Sequence, residues 1–150
     1  MITKNLYDEI LIDPANHGSN ELFIVSGYSS ATFLSRHINE LKKINTESKI
    51  NLLVGMHQRL NDHYAYLNIK RTFGDSFHGY YYTGNPGVHS KTYSWIKDGS
   101  PRVGFSGSAN YSQYGFFNTM QQNQMVRDDP SAIRDYFEEL ISDSIKIEDY

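Results

Sequence analysis

The sequence predicts an α/β fold, a mixed β-sheet flanked by helices on both faces, and three observations carry that prediction. Glu21 to Tyr28 (ELFIVSGY) and Lys49 to Met56 (KINLLVGM) are apolar runs of strand length. Between them Phe33, Leu34, His37, Ile38 and Leu41 recur at helical spacing behind Ser29 and Ser30, which can cap the helix. Strand, helix, strand in that order implies a right-handed crossover and a parallel pair. Further on, His89 to Lys97 and Arg102 to Ser108 flank Asp98-Gly99-Ser100-Pro101, which reads as a hairpin or wide turn.

The other elements follow in chain order. Asn61 is placed to cap a second helix through Tyr64, Leu67 and Arg71, ending before Gly74. Phe77 to Thr83 reads as a strand with alternating core and surface tyrosines, followed by the turn residues Gly84-Asn85-Pro86-Gly87. Gln122 to Arg127 reads as a further strand. Asp129 then caps and Pro130 opens a last helix with Ile133, Phe137, Leu140 and Ile141 inward.

At 150 residues the chain is expected to form one domain over 1–150. With 39 % hydrophobic and 21 % charged residues it is globular rather than disordered. There is no cysteine, which excludes disulfides, zinc-thiolate sites and thiol catalysis and fits a reducing, cytoplasmic setting. Met1 to Ile12 has no signal-peptide core, and no stretch approaches the ~20 apolar residues of a membrane span. The net charge of −3 is unusual for a domain that grips nucleic acid unaided. Any such contact then falls to a local basic patch or to another domain.

The chemistry concentrates in His89-Ser90-Lys91 and Gly107-Ser108-Ala109-Asn110. On a strand, residues two apart share a face, so His89 and Lys91 are expected to enter one cleft. Gly107 would let the backbone approach a ligand closely, and Ser108 and Asn110 would offer a hydroxyl and an amide. A cation and neutral donors suit the non-bridging oxygens of a phosphodiester as charge develops on them. An imidazole, titrating ordinarily near ~6.5, can attack phosphorus or protonate the leaving oxygen. No carboxylate cluster with metal-ligand spacing accompanies this set, so neither metal nor cofactor is expected.

His-x-Lys followed at a distance by Gly-Ser-x-Asn resembles the signature of the phospholipase D superfamily. With VSGYSS, LLVGM and GSANYSQYGF around it, the stretch from Leu22 to Val126 is similar to the NgoFVII-type restriction endonucleases of that superfamily. The resemblance implies a phospholipase D-like fold and a metal-independent DNA endonuclease, the catalytic part of a type II restriction enzyme. Superfamily members use two such motifs and this sequence has one, so it implies one half-site per chain and a homodimer with its composite active site on the two-fold axis. One His89 would form a phosphohistidine and the other would protonate the leaving group, with Lys91, Ser108 and Asn110 holding the phosphate. A separate sequence-reading domain is expected elsewhere in a longer protein of which this is the N-terminal part.

Two positions depart from the superfamily pattern. Ile96 stands where an aspartate usually follows the lysine, with Asp98 the nearest acid. No Asp or Glu lies between Asn110 and Arg127, where members place an acid that orients the histidine, and the counterpart is Gln124. A glutamine carbonyl can accept the imidazole N–H but cannot stabilise the imidazolium by charge. Two alternatives follow: a non-specific phosphodiesterase of the same superfamily, or a weakened module that dimerises or binds DNA without cutting it.

Tyr28, Ser29 and His57 follow strand ends, where cleft residues often sit, and are candidate substrate contacts together with Gly107. Lys97 and Arg102 read as solvated charges beside the turn. Glu47-Ser48-Lys49 has the E-x-K form of metal-dependent nucleases, but its would-be partner Asp13 precedes a proline in a loop-like stretch.

Overall fold

A computed structural model of the chain describes residues 1–56, 62–117 and 122–150. Leu6, Tyr7, Ile10 and Leu11 are buried, and Tyr7–Ile12 winds as a π-helical turn into the short α1 (Asp13–Asn16). Asp13 therefore opens a helix instead of lying in a loop. Pro14 sits in the first turn, where its missing N–H has no intrahelical partner to lose.

The two apolar runs form β1 (Glu21–Ser26) and β2 (Lys49–Val54), paired in parallel from Glu21–Lys49 to Ser26–Val54. Between them α2 (Ala31–Ile44) opens on Ser30, whose hydroxyl accepts the Phe33 N–H at 3.2 Å. A cap of this kind contributes about 1 kcal/mol. The five residues at helical spacing, Phe33, Leu34, His37, Ile38 and Leu41, are all buried. Next, α3 (His63–Phe73) crosses to β3 (Phe77–Tyr82), which lies parallel to β2. The expected cap Asn61 lies outside the described residues; Asp62 precedes the helix, and its carboxylate accepts the Ala31 N–H at 3.0 Å. Tyr81 is buried between two half-buried tyrosines, as the alternation predicts.

The hairpin pairs β4 (Lys91–Lys97) with β5 (Ser100–Gly107), and β4 runs antiparallel to β1. Its turn is only Asp98-Gly99, with φ of 48° and 84°. Positive φ at both positions is what the tight type I′ turn demands. Ser100 and Pro101 thus belong to β5, and a register shift between Trp95 and Ile96 absorbs the difference. The start of β4 also moves: it begins at Lys91 instead of His89. Val88 and Ser90 bond instead to Gly55 and Gly27, just past the ends of β2 and β1.

After α4 (Gln113–Phe117), β6 (Met125–Asp128) adds antiparallel to β5, three residues later than the sequence suggests. The final helix α5 (Pro130–Ile141) is capped by Asp129, which accepts from Ser131 N at 2.9 Å. A strand with no signal in the sequence, β7 (Ser144–Lys146), returns antiparallel to β3. The sheet order is β6-β5-β4-β1-β2-β3-β7. α5 covers one face through Phe137 against Val25 and Leu53, and the earlier helices cover the other. The expectation of a mixed sheet with helices on both faces is met. Among the described residues no helix is long and apolar enough to cross a membrane.

His37 ties three of these parts together. Its Nε2 lies 2.7 Å from the Leu11 carbonyl, which can only accept, so Nε2 carries the proton. Nδ1 then accepts the Tyr111 hydroxyl at 2.6 Å. Burial lowers the His37 pKa to about 4, against opposing contributions from the Leu11 carbonyl and Glu40. Below the ordinary value near 6.5 the unfolded chain takes up a proton that the folded chain refuses. Stability contributed by His37 is therefore full above that value and falls as the pH drops toward 4, by about 3 kcal/mol in all. Urea denaturation from pH 7 to pH 4.5 should show this loss. In the His37→Gln variant, weaker at pH 7, the slope with pH should be shallower; an equal slope would contradict the assignment.

Candidate active site

The two motifs meet at the end of the sheet where β1 stops. Lys91 lies opposite Ser26, the last residue of β1, and on its other side β4 runs beside β5, which leads into Ser108. Ser90 turns the other way and bonds Tyr136 of α5 at 2.9 Å. His89 is exposed in the extended segment before β4, and Lys91 is half-buried with its Nζ donating to the His89 carbonyl at 2.6 Å. The strand geometry expected for His89 does not apply, yet the histidine and lysine stay adjacent.

That segment crosses closely over the ends of β1 and β2. A Cβ added at Gly27 would stand 3.2 Å from the His89 Cα. One added at Gly55 would overlap the Val88 carbonyl oxygen and come within 2.9 Å of its carbon. Gly27 and Gly55 therefore act as a floor on which the histidine segment rests. Both lie in the stretches that follow the first two strands, but no local pattern in the sequence marks what passes above them.

Asn110 is fixed from β1. Its Oδ1 accepts the Tyr28 N–H at 3.2 Å and lies 3.3 Å from the Ser26 hydroxyl, which also donates to the Tyr28 carbonyl, and this leaves the NH₂ end to donate. Ser26 is fully buried and also accepts the Tyr111 N–H at 3.0 Å. Ala109 and Tyr111, on either side of Asn110, are buried, and the Tyr93 hydroxyl donates to the Ala109 carbonyl at 2.7 Å.

Ser108 is held from the far side. Its hydroxyl donates to Asn123 Oδ1 at 2.9 Å and accepts the Gln124 N–H at 2.9 Å. Asn123 is buried, and its NH₂ in turn donates to the carbonyls of Tyr114 and Gly115 at 3.2 and 3.1 Å. Ser26 and Asn123 are thus positioning residues that sequence reasoning passed over. Each is an ordinary polar residue whose role depends on partners far along the chain.

The remaining candidates divide. The Tyr28 ring is exposed and meets the His89 ring edge-on at 6.4 Å between centroids. Ser29 is taken up internally by a hydrogen bond to the Tyr66 hydroxyl. His57 lies outside the described residues. A Cβ at Gly107 would overlap the Gln124 carbonyl oxygen and lie 2.8 Å from Met125 Sδ, so the close approach this glycine permits is to the start of β6. Gln124 joins the site through its backbone; its exposed side chain makes no hydrogen bond to His89 among the described residues. Glu47 and Asp13 line separate grooves, so the E-x-K alternative has no assembled site.

A family model described as the NgoFVII restriction endonuclease N-terminal PLD domain matches residues 4–149. No curated protein matches the sequence. Among solved structures, Nuc from Salmonella typhimurium, a phospholipase D family member, is 13 % identical with a TM-score of 0.62, over 91 % of this chain and 87 % of its own. NucT from Helicobacter pylori is 15 % identical with a TM-score of 0.61, over 91 % and 87 %. Phosphatidylserine synthase from Haemophilus influenzae is 10 % identical with a TM-score of 0.67, over 98 % of this chain and 38 % of its own. These likenesses establish the phospholipase D-like fold.

Proposed function

Because the chain belongs to the NgoFVII restriction endonuclease N-terminal PLD domain family, we propose that it hydrolyses DNA phosphodiester bonds as a homodimer, without a metal ion. The observation that supports this reading most directly is the meeting of His89, Lys91, Ser108 and Asn110 at one end of the sheet. Lys91 offers positive charge and the Asn110 NH₂ a neutral donor, while the Ser108 hydroxyl would turn from its partner Asn123 to donate to the phosphate. Such groups stabilise charge on the non-bridging oxygens in the transition state, and one donor of this kind is commonly worth about 10²-fold or more in rate.

In the first step an imidazole nitrogen of one His89 attacks phosphorus. The nitrogen–phosphorus bond forms as the bond to the leaving deoxyribose oxygen breaks, and the His89 of a second copy gives that oxygen its proton. In the second step the same second histidine takes a proton from water. The resulting hydroxide attacks phosphorus and releases the first histidine. Each chain supplies one of the two imidazoles, hence one half-site per chain.

Gln124 favours a second reading, a module that binds DNA or dimerises with little turnover, because no carboxylate stands at that position to stabilise an imidazolium. Cleavage of supercoiled plasmid in EDTA, by the natural sequence and by Gln124→Glu, separates the two. The nuclease reading expects cutting in EDTA and faster cutting by the variant. Binding without cutting by either protein would support the second reading. Cutting that EDTA abolishes and Mg²⁺ restores would overturn the metal-independent mechanism.

A further inference from the structure

Beside Ser108 lies a groove of about 710 Å³, lined by Thr3, Lys4, Ser108, Gln122, Asn123 and Gln124. Among the described residues its lining offers one cation, hydroxyls and amides, and no carboxylate. In a protein of net charge −3 that is an uncommon surface. Lys4 has no acidic partner there, since the ion pairs among the described residues are Arg36–Glu40 and Lys70–Glu148.

Lys4 is held in place from both sides. Before it, Ile2 pairs with Met125 through two backbone hydrogen bonds of 2.7 and 2.9 Å. After it, Asn5 turns the chain with φ of 53°, and Leu6 is buried in the core. The N-terminal segment is thus strapped to β6 next to the residues that hold Ser108. A lysine fixed this way loses less backbone freedom on binding than one on a loose tail.

We propose that Lys4 is a substrate-positioning residue, its ammonium holding a backbone phosphate of the DNA strand next to the one being cut. The inference rests on the nuclease reading above and extends it by placing a strand contact on the Ser108 side of the site. Polar side chains and amides in the groove suit the sugar–phosphate backbone, which is bound largely by such donors irrespective of sequence.

The test is binding of a labelled duplex oligonucleotide, followed by anisotropy across a salt series, for the natural sequence, Lys4→Gln and Lys4→Arg. Lys4→Gln should bind about tenfold more weakly. Its slope of log affinity against log salt should shrink by about 0.9 for each Lys4 engaged, and Lys4→Arg should restore it. In cleavage the KM should rise with kcat nearly unchanged. A structural role would alter thermal unfolding and leave the salt slope alone. Binding with the same slope and affinity in Lys4→Gln would overturn this inference only, whereas a natural sequence that neither binds nor cuts DNA would overturn the nuclease reading with it.

Discussion

Replacing His89 by alanine is expected to lower plasmid cleavage in EDTA by about 10³-fold or more, with the thermal unfolding curve unchanged. The expectation combines two features of the site. His89 is exposed, in a segment held by backbone hydrogen bonds to Gly27 and Gly55, so its side chain adds little to the fold. It is also the group to which the proposed mechanism gives both the attack on phosphorus and the proton exchange. Duplex binding should persist, because Lys91, Ser108 and Asn110 remain. A variant that cuts at an undiminished rate would remove His89 from the chemistry altogether.

The second large effect is expected at Gly55, which lies under the segment that carries His89. In Gly55→Ala the new methyl would overlap the Val88 carbonyl, a backbone group that cannot swing aside. The segment bearing His89 must lift from the sheet to make room. A displacement of about 1 Å in a reacting group can cost about 10² in rate. The overpacking should cost about 1–3 kcal/mol of stability as well. Chemical denaturation and single-turnover cleavage measured together would separate the two. A rate unchanged in protein confirmed to be folded would mean that the position of the 88–90 segment does not control the chemistry.

How much of this was legible in the sequence depended on distance along the chain. β1, α2 and β2 could be read because their apolar spacing and the Ser30 cap act within a few residues. The same holds for α5, where Asp129 and Pro130 announce the start. The start of β4 could not be read, because it is decided by Gly27 and Gly55, which hold Ser90 and Val88 past the ends of β1 and β2. The π-helical turn at Tyr7–Ile12 depends on burial against α2, and β7 on an open edge of β3; neither has a local signal. In the site, His-x-Lys and Gly-Ser-x-Asn were visible as short motifs. The residues that hold them, Ser26 and Asn123, reach across 84 and 15 positions to Asn110 and Ser108.

The order of the strands has a consequence for how molecules of this protein can meet. The outermost strands, β6 and β7, are the shortest in the sheet, with four and three residues, and Ile2 already occupies part of the β6 rim. A neighbouring molecule would therefore find little ladder to extend by strand addition, the route by which sheet proteins most readily polymerise. Contact between two copies, as the proposed dimer requires, would then rest on side chains and not on a backbone ladder. Margins this blunt work against open-ended association through the sheet edges.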